Sequence, residues 1–509
     1  MTDSAARLDL RLVPAALTAW VVTAAGITWP VGPLLATACA AVGLGWAVLT
    51  RWCGQGRPAL RTAAVAVLGA AVVGTGFAFA ATLRSAAVRD HPIAQRLGTV
   101  GTVTVTPGED PRPLGSGRLM FRGSLAELNG TEMTGSVVVS ATTSGFGELT
   151  AGRPARFRAR IGRPTRHDLT VAVLNATGDP ALGRASPLQR VASAVRARFA
   201  DEARRVLPAD QAAVLPGLVL GDTSTVSANT TAEFRTAGLT HLMAVSGANV
   251  TIVCGAVLLS AAVVGPRVAV GLAAVALLTF VIVVQPTASV LRAAVMGAIA
   301  LVAIVSARRR QAIPVLAATV LGLLIVAPQL SVDAGFALSV SATAALVVLA
   351  PGWAASLIAR GWPRPLAEAV CVALAAQLVT APLVAAISGR LSVVGVLANL
   401  AVAVVIPPIT VLGTAAAVVC WVMPSAAGLM IRFTGPELWW LLRVASTAAE
   451  LPGASVPVPS GLAGVLTVGG ATLAIAVLWR WRKVGVRRCR PVVKRSSGER
   501  DGGPASDPG

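Results

Sequence analysis

The sequence predicts a polytopic α-helical membrane protein of about twelve transmembrane helices, interrupted by one small inserted β domain. Three observations lead there. Hydrophobic residues fill 55% of the 509 positions and charged residues only 13%, whereas soluble domains sit near half apolar and about a quarter charged. The apolar residues are gathered into runs close to the ~20 residues that cross a bilayer as a helix. A single polar stretch, residues 84–184, interrupts these runs and alternates with the period of a strand.

The first three spans are expected at about 10–29, 34–50 and 62–83. No small-residue cleavage pattern follows the first run, which therefore reads as a mature span and not a removed leader. Residues 84–184 are broken by Gly and Pro and contain short β-type runs such as TVGTVTVT, GSVVVSA and ARFRARIG. About five such strands suit a small barrel of OB-like type, with a β-sandwich as the other arrangement the pattern allows. Its three phenylalanines, Phe121, Phe146 and Phe157, read as core.

Residues 185–237 read as an amphipathic, interfacial helical segment. Leu188, Val191, Val195, Phe199 and Val206 fall near one face, and Arg190, Arg196, Arg198, Arg204 and Arg205 largely elsewhere. A helix packed on the β domain fits the same pattern. Nine more spans are expected at about 238–262, 267–286, 288–307, 312–327, 333–350, 366–387, 391–406, 408–423 and 461–481. The pair meeting at Pro407-Pro408 is short and reads as half-helices or a tight pair, because Pro removes a backbone donor. Residues 482–509 read as a disordered basic tail.

Charge orients this arrangement. With a cytoplasmic N-terminus, the inner links hold Arg51, Arg57, Arg61, Arg267, Arg308, Arg309, Arg310, Arg360 and Arg364, and the outer links only Arg390, Arg432 and Arg443. Both termini are then cytoplasmic and the β domain extracytoplasmic. The net charge is +21, almost all from arginine; positive-inside bias accounts for much of it, and attraction to a polyanion is the other source. The six cysteines show no paired spacing, so neither a disulfide framework nor a zinc site is indicated. His91, His167 and His241 have no neighbours at ligand spacing, and no cofactor is expected.

The stretch GLVLGDTSTVSANTTAEFRTAGLTHLMAVSGANVTIV, residues 217–253, carries a polar string into an apolar run. His241, Ser246, Gly247 and Asn249 then lie at membrane depth, where polar groups are costly and face a bundle interior or a wet path. GLTHLMAVSGANV resembles the signature of the ComEC family of competence proteins. PTASVLRAAVM at 286–296, DAGFALSVSATAAL at 333–346 and AAQLVTAPLVAAISGRLSVVGVLANLAVAVVIPP at 375–408 resemble three later segments of that family, in the same order. The likeness runs over roughly residues 84–425 and includes an external OB-type domain. It departs at Asn249, where many members carry His, and at Ala337, where many carry Gln.

The resemblance implies a channel that passes one DNA strand through the cytoplasmic membrane in natural transformation, and no enzyme. Carried over position by position, its DNA path would hold His241, Ser246, Gly247, Asn249, Arg292, Asp333, Ser339, Gln377 and Asn399. Arg292 is the strongest physical case, since a guanidinium in an apolar run suits a sliding phosphate chain, although an internal pair with Asp333 is the alternative. On the β domain, Arg153, Arg156, Arg158 and Arg160 are expected to grip phosphate without reading sequence, the last three from one strand face. The chain reads as a short form without the metallo-β-lactamase-like domain of fuller members.

No G-x-x-x-x-G-K-[ST] motif is present. A separate DNA receptor, an ATP-driven motor and a nuclease are therefore expected partners besides single-stranded DNA and the lipid bilayer; homo-oligomerisation stays open. Two other classes compete. A small-solute secondary transporter also uses broken helices and midplane polar groups, but no inverted repeat is visible. An intramembrane serine hydrolase would need His241 and Ser246 together, and five residues along one helix sets them about 140° apart.

Overall fold

The computed structural model describes residues 9–52, 58–243, 245, 247–284, 288–305 and 312–488. Three N-terminal helices come first: α1 (Val13–Thr28), α2 (Gly32–Trp52) and α3 (Pro58–Arg89), with α1 and α2 both packed on α3. The strands β1 (Val100–Pro107), β2 (Arg112–Gly115), β3 (Arg118–Leu128) and β4 (Thr131–Thr142) follow. A single-turn helix α4 (Thr143–Phe146) leads to β5 (Ala155–Gly162) and β6 (Thr170–Leu182).

Five strands close on themselves in the order β1-β5-β6-β4-β3 and back to β1, with β2 hairpinned onto β3. Only the β4–β6 pairing is parallel. Closure leaves no long free edge and makes strict alternation useful, because each strand has one wet face and one face in the barrel. Thus Ala155, Phe157, Ala159 and Ile161 of β5 point inward while Arg156, Arg158 and Arg160 point out. The interior is filled by Val103, Phe121, Leu125, Val139, Phe157 and Leu174, and Phe146 meets Phe157 edge to face. The β3–β4 turn is Asn129-Gly130, both left-handed, which is the geometry a two-residue hairpin requires.

Helices α5 (Pro187–Val206), α6 (Ala209–Leu220) and α7 (Ala228–Thr236) lead into the helical region. The face expected of α5 is buried only from Val195 onward, where Phe199 is fully buried and Val195 and Val206 are half-buried. Leu188 and Val191 are exposed, while Ala192, Arg196, Phe199, Ala200 and Ala203 are buried. Arg196 is buried because it has partners: it donates to the carbonyl of Val283 at 2.9 Å and lies 3.8 Å from the Asp110 carboxylate on the barrel. A charge that bridges two regions offsets its desolvation in a way that helical periodicity does not reveal.

The remaining elements are α8 (Gly247–Ser260), α9 (Pro266–Val284), α10 (Ala288–Val305), α11 (Ala312–Val326), α12 (Ala334–Val348), α13 (Ala350–Ile358), α14 (Arg364–Ser388), β7 (Arg390–Ser392), α15 (Gly395–Val402), α16 (Ile406–Val419), α17 (Pro424–Phe433), α18 (Gly435–Glu450), β8 (Ser455–Pro457) and α19 (Gly461–Arg488). A helix stands at each of the twelve expected positions, but their lengths differ from expectation. Among the described residues five helices are long and apolar enough to cross a membrane: Gly32–Leu49, Val65–Arg96, Pro266–Val284, Ala334–Ile358 and Arg364–Ser388. A sixth span results if α15 and α16, bent by 54°, count together, and six further apolar helices are shorter.

Three physical causes account for the differences. The span expected from 238 starts as a helix only at Gly247, after a 3-10 turn at Thr240–Leu242. The prolines at 407 and 408 open α16 instead of ending α15, since the first helical turn needs no N–H. The region treated as an external link holds α17 and α18, whose Ile431, Leu438, Leu441 and Ala445 are fully buried. These belong to one core with α5–α10, α15 and α16. Large apolar side chains elsewhere stay uncovered, Val263 at 93% for example, as expected where lipid and not protein is the neighbour.

Candidate functional site

The site residues predicted in the helical region fall into three groups. The first surrounds Arg292, on the second turn of α10 and only 6% exposed. Its Nε donates to Ser339 Oγ of α12 at 2.8 Å, and Ser339 in turn meets Ser289 Oγ at 3.3 Å. A second guanidinium nitrogen rests on Met296 Sδ at 3.2 Å, a weak acceptor. The third, Nη2, lies against the start of α8, where a β-carbon on Gly247 would stand 3.0 Å from it. Glycine at this position is what lets the two helices approach.

Electrostatically the place is unusual. The first turn of α8 presents backbone N–H groups without helical acceptors and the positive end of its dipole. Beside it sits a buried guanidinium with no carboxylate in ion-pair range among the described residues. Asp333, the alternative partner, is occupied otherwise: its Oδ1 caps α12 by accepting from Phe336 N at 2.7 Å. The arrangement suits contact with an anion, because a fork-shaped donor held by a neutral hydroxyl keeps its charge available. Ser246, one residue before this helix, lies outside the described residues.

The second group centres on Asn249, 5% exposed on α8. Its Nδ2 donates to the carbonyl of Leu218 at 2.9 Å. That carbonyl is in the last turn of α6, which ends at the left-handed Gly221 and leaves acceptors without helical donors. Leu218, Asn249, Leu242, Ile406, Ile409 and Thr410 line a small cavity at the start of α16.

The third group braces the segment that carries His241. Gln377 Nε2 on α14 donates to Ser392 O at 3.2 Å, and Ser392 Oγ donates to Thr236 O at 2.8 Å. Asn399 Nδ2 donates to Gly395 O at 2.7 Å and reaches toward Gly238 O at 3.5 Å. Gly238 has φ +74°, and a β-carbon there would stand 3.1 Å from Gly395 Cα. Gln377 and Asn399 are thus spent on holding residues 236–238 against α15, which sets the exposed His241 on its 3-10 turn. His241 stands on that 3-10 turn and not on α8, whose described residues begin at Gly247.

Sequence reasoning missed Ser289, Ser392, Gly238 and Met296. Ser289 and Met296 stand three and four residues from Arg292 on the same helix face, a spacing that could have pointed to them. Ser392 had no such signal.

On the barrel, Arg156, Arg158 and Arg160 form an exposed stripe flanked by Thr102, Thr104 and Thr177 in register. Arg153 sits apart, its Nε donating to Gly183 O at 3.1 Å. Phe121, Phe146 and Phe157 are buried and present no stacking face.

A family model described as competence protein matches residues 218–483, just over half of the chain. The matched segment contains all three polar groups and leaves the barrel outside it. No curated protein and no solved structure matches the chain.

Proposed function

We infer the role of this protein from the premise that it belongs to the competence protein family. It is a membrane protein with a role in competence and DNA uptake. The specific reading we propose is a conduit that passes one strand of DNA across the cytoplasmic membrane, with the barrel on the outer face and both termini inside. The observation that carries it is Arg292: a buried arginine set by Ser339 against the N-terminus of α8, without an acidic partner among the described residues. An arginine at that depth is expensive unless something anionic uses it.

The barrel is read as an OB-type receiving domain. Numbering its five closing strands in chain order gives 1-2-3-5-4-1 with the third and fifth parallel, and this fold binds strands of nucleic acid along a basic face. Its arginine stripe supplies phosphate contact, which reads no sequence, and its buried phenylalanines add no stacking. A receptor, a motor and a nuclease would act together with this conduit.

The test is uptake of labelled DNA, beside a panel of small solutes, in a transformable strain lacking its own copy and complemented with wild type or Arg292→Ala. Restored DNA uptake with wild type and its loss in Arg292→Ala at equal membrane abundance support the conduit. Solute uptake without DNA uptake would move the reading to a transporter. A Ser246→Ala variant that still takes up DNA excludes Ser246 as an essential nucleophile.

A further inference from the structure

A groove runs between α1, α3 and α11, lined by Val72, Gly76 and Ala80 of α3 and by Leu324 and Ile325 of α11. Thr23 of α1 also borders it, but its hydroxyl donates within its own helix to Ala19 O, so only its methyl is left to the groove. The walls are apolar along their length and one end is not. There Arg84 Nη2 donates to the carbonyl of Ile325 at 3.0 Å. That carbonyl is one of the last in α11, with no helical donor of its own. One guanidinium nitrogen is thereby fixed at the rim, and the others remain for a ligand. Among the described residues no carboxylate pairs with Arg84.

Length and charge together identify the occupant. From Arg84 back to Val72 the helix rises about 18 Å at 1.5 Å per residue. That matches the ~15 Å from headgroup to midplane in one leaflet of a ~30 Å hydrocarbon core. Phe79 and Leu83 of α3, on the same helix as the lining residues, are also exposed and apolar. A purely apolar partner would leave the fixed guanidinium unused at the polar end. We propose that this groove binds one acyl chain of an anionic glycerophospholipid, with Arg84 on its phosphate. The bound lipid fills the seam between the N-terminal helices and α11 at the end from which α3 leads into the barrel. This needs only that the helices sit in a bilayer, and is independent of the conduit reading.

Gly76 offers a clean test, because nothing lies within 4 Å of a β-carbon placed there, so a larger side chain enters the groove without moving backbone. The full chain, extracted in mild detergent, is offered phosphatidylglycerol or phosphatidylcholine, and retained lipid is counted by native mass spectrometry. Wild type should retain phosphatidylglycerol in preference. Arg84→Gln should reduce that preference by roughly fivefold, the worth of one basic residue at an anionic surface. Gly76→Leu should lose retained lipid of both kinds with unchanged circular dichroism and elution; Ala80→Leu, one turn along, serves if Gly76→Leu misfolds. Unchanged preference in Arg84→Gln, or undiminished retention in the filled groove, overturns the proposal. So does stabilisation by inorganic phosphate equal to that by phosphatidylglycerol.

Discussion

On β5, Arg156, Arg158 and Arg160 stand outside the barrel while Phe157 and Ile161 fill it; on α10, Arg292 is sunk among α8, α10 and α12 with its Nε on Ser339. The same side chain is used in opposite ways. The barrel arginines are solvated and lose little on being placed there, so each contributes modestly and is screened by salt. Arg292 has already lost its water, and its position is held by a neutral hydroxyl. An anion meeting it encounters a preorganised charge that salt screens poorly. On the conduit proposed above, this difference would be a division of labour, with the barrel collecting a polyanion and Arg292 meeting it in passage.

The largest effect should come from removing the buried charge. Arg292→Ala should lower DNA uptake by roughly 30- to 4000-fold, the range for truncating one partner of a desolvated charged contact. Arg292→Lys should recover only part, because an ammonium lacks the fork. Recovery to wild type by lysine would reduce the site to a point charge. Next comes Gly247→Val, which drives a side chain into Arg292 Nη2 and Ala293. We expect a loss of about tenfold or more, consistent with the 1–3 kcal/mol of overpacking. Its measurement is transformation frequency at matched membrane abundance.

Ser339→Ala removes one anchor and leaves the charge. A net hydrogen-bond worth of about 1 kcal/mol implies roughly a fivefold loss. A loss as large as that of Arg292→Ala would mean that Ser339 itself meets the strand. The smallest effect belongs to the barrel. With Arg156, Arg158 and Arg160 all changed to Gln, single-strand affinity of the purified chain should fall mainly at low salt. The slope of log K against log salt should lessen by about 2, near 0.7 per phosphate contact. A slope unchanged by the triple substitution would remove the stripe from the binding face.

How much of this could be read in advance depends on the range of the interaction. Alternation is local, so the outward Arg156, Arg158 and Arg160 and the inward Phe157 were legible from ARFRARIG alone. The break after α15 was legible from two prolines, though not which helix they would begin. Partners distant in sequence were not. Ser339 lies 47 residues from Arg292 and Ser392 lies 156 from Thr236, and no period links them. Arg196 was misplaced for the same reason: its partners are a barrel carboxylate and a carbonyl at the end of α9. Helix lengths were overestimated where apolar composition ran on past a backbone break, as before Gly247.

The comparison comes down to whether the travelling strand touches both places. A photo-crosslinking residue can be set at the exposed Ala248, beside Gly247, and in a second strain at Arg158. Irradiation during uptake of labelled DNA should join the strand to both positions, and the DNA held at Ala248 should be single-stranded. DNA that enters the cell and labels Arg158 but never Ala248 would contradict a path past Arg292.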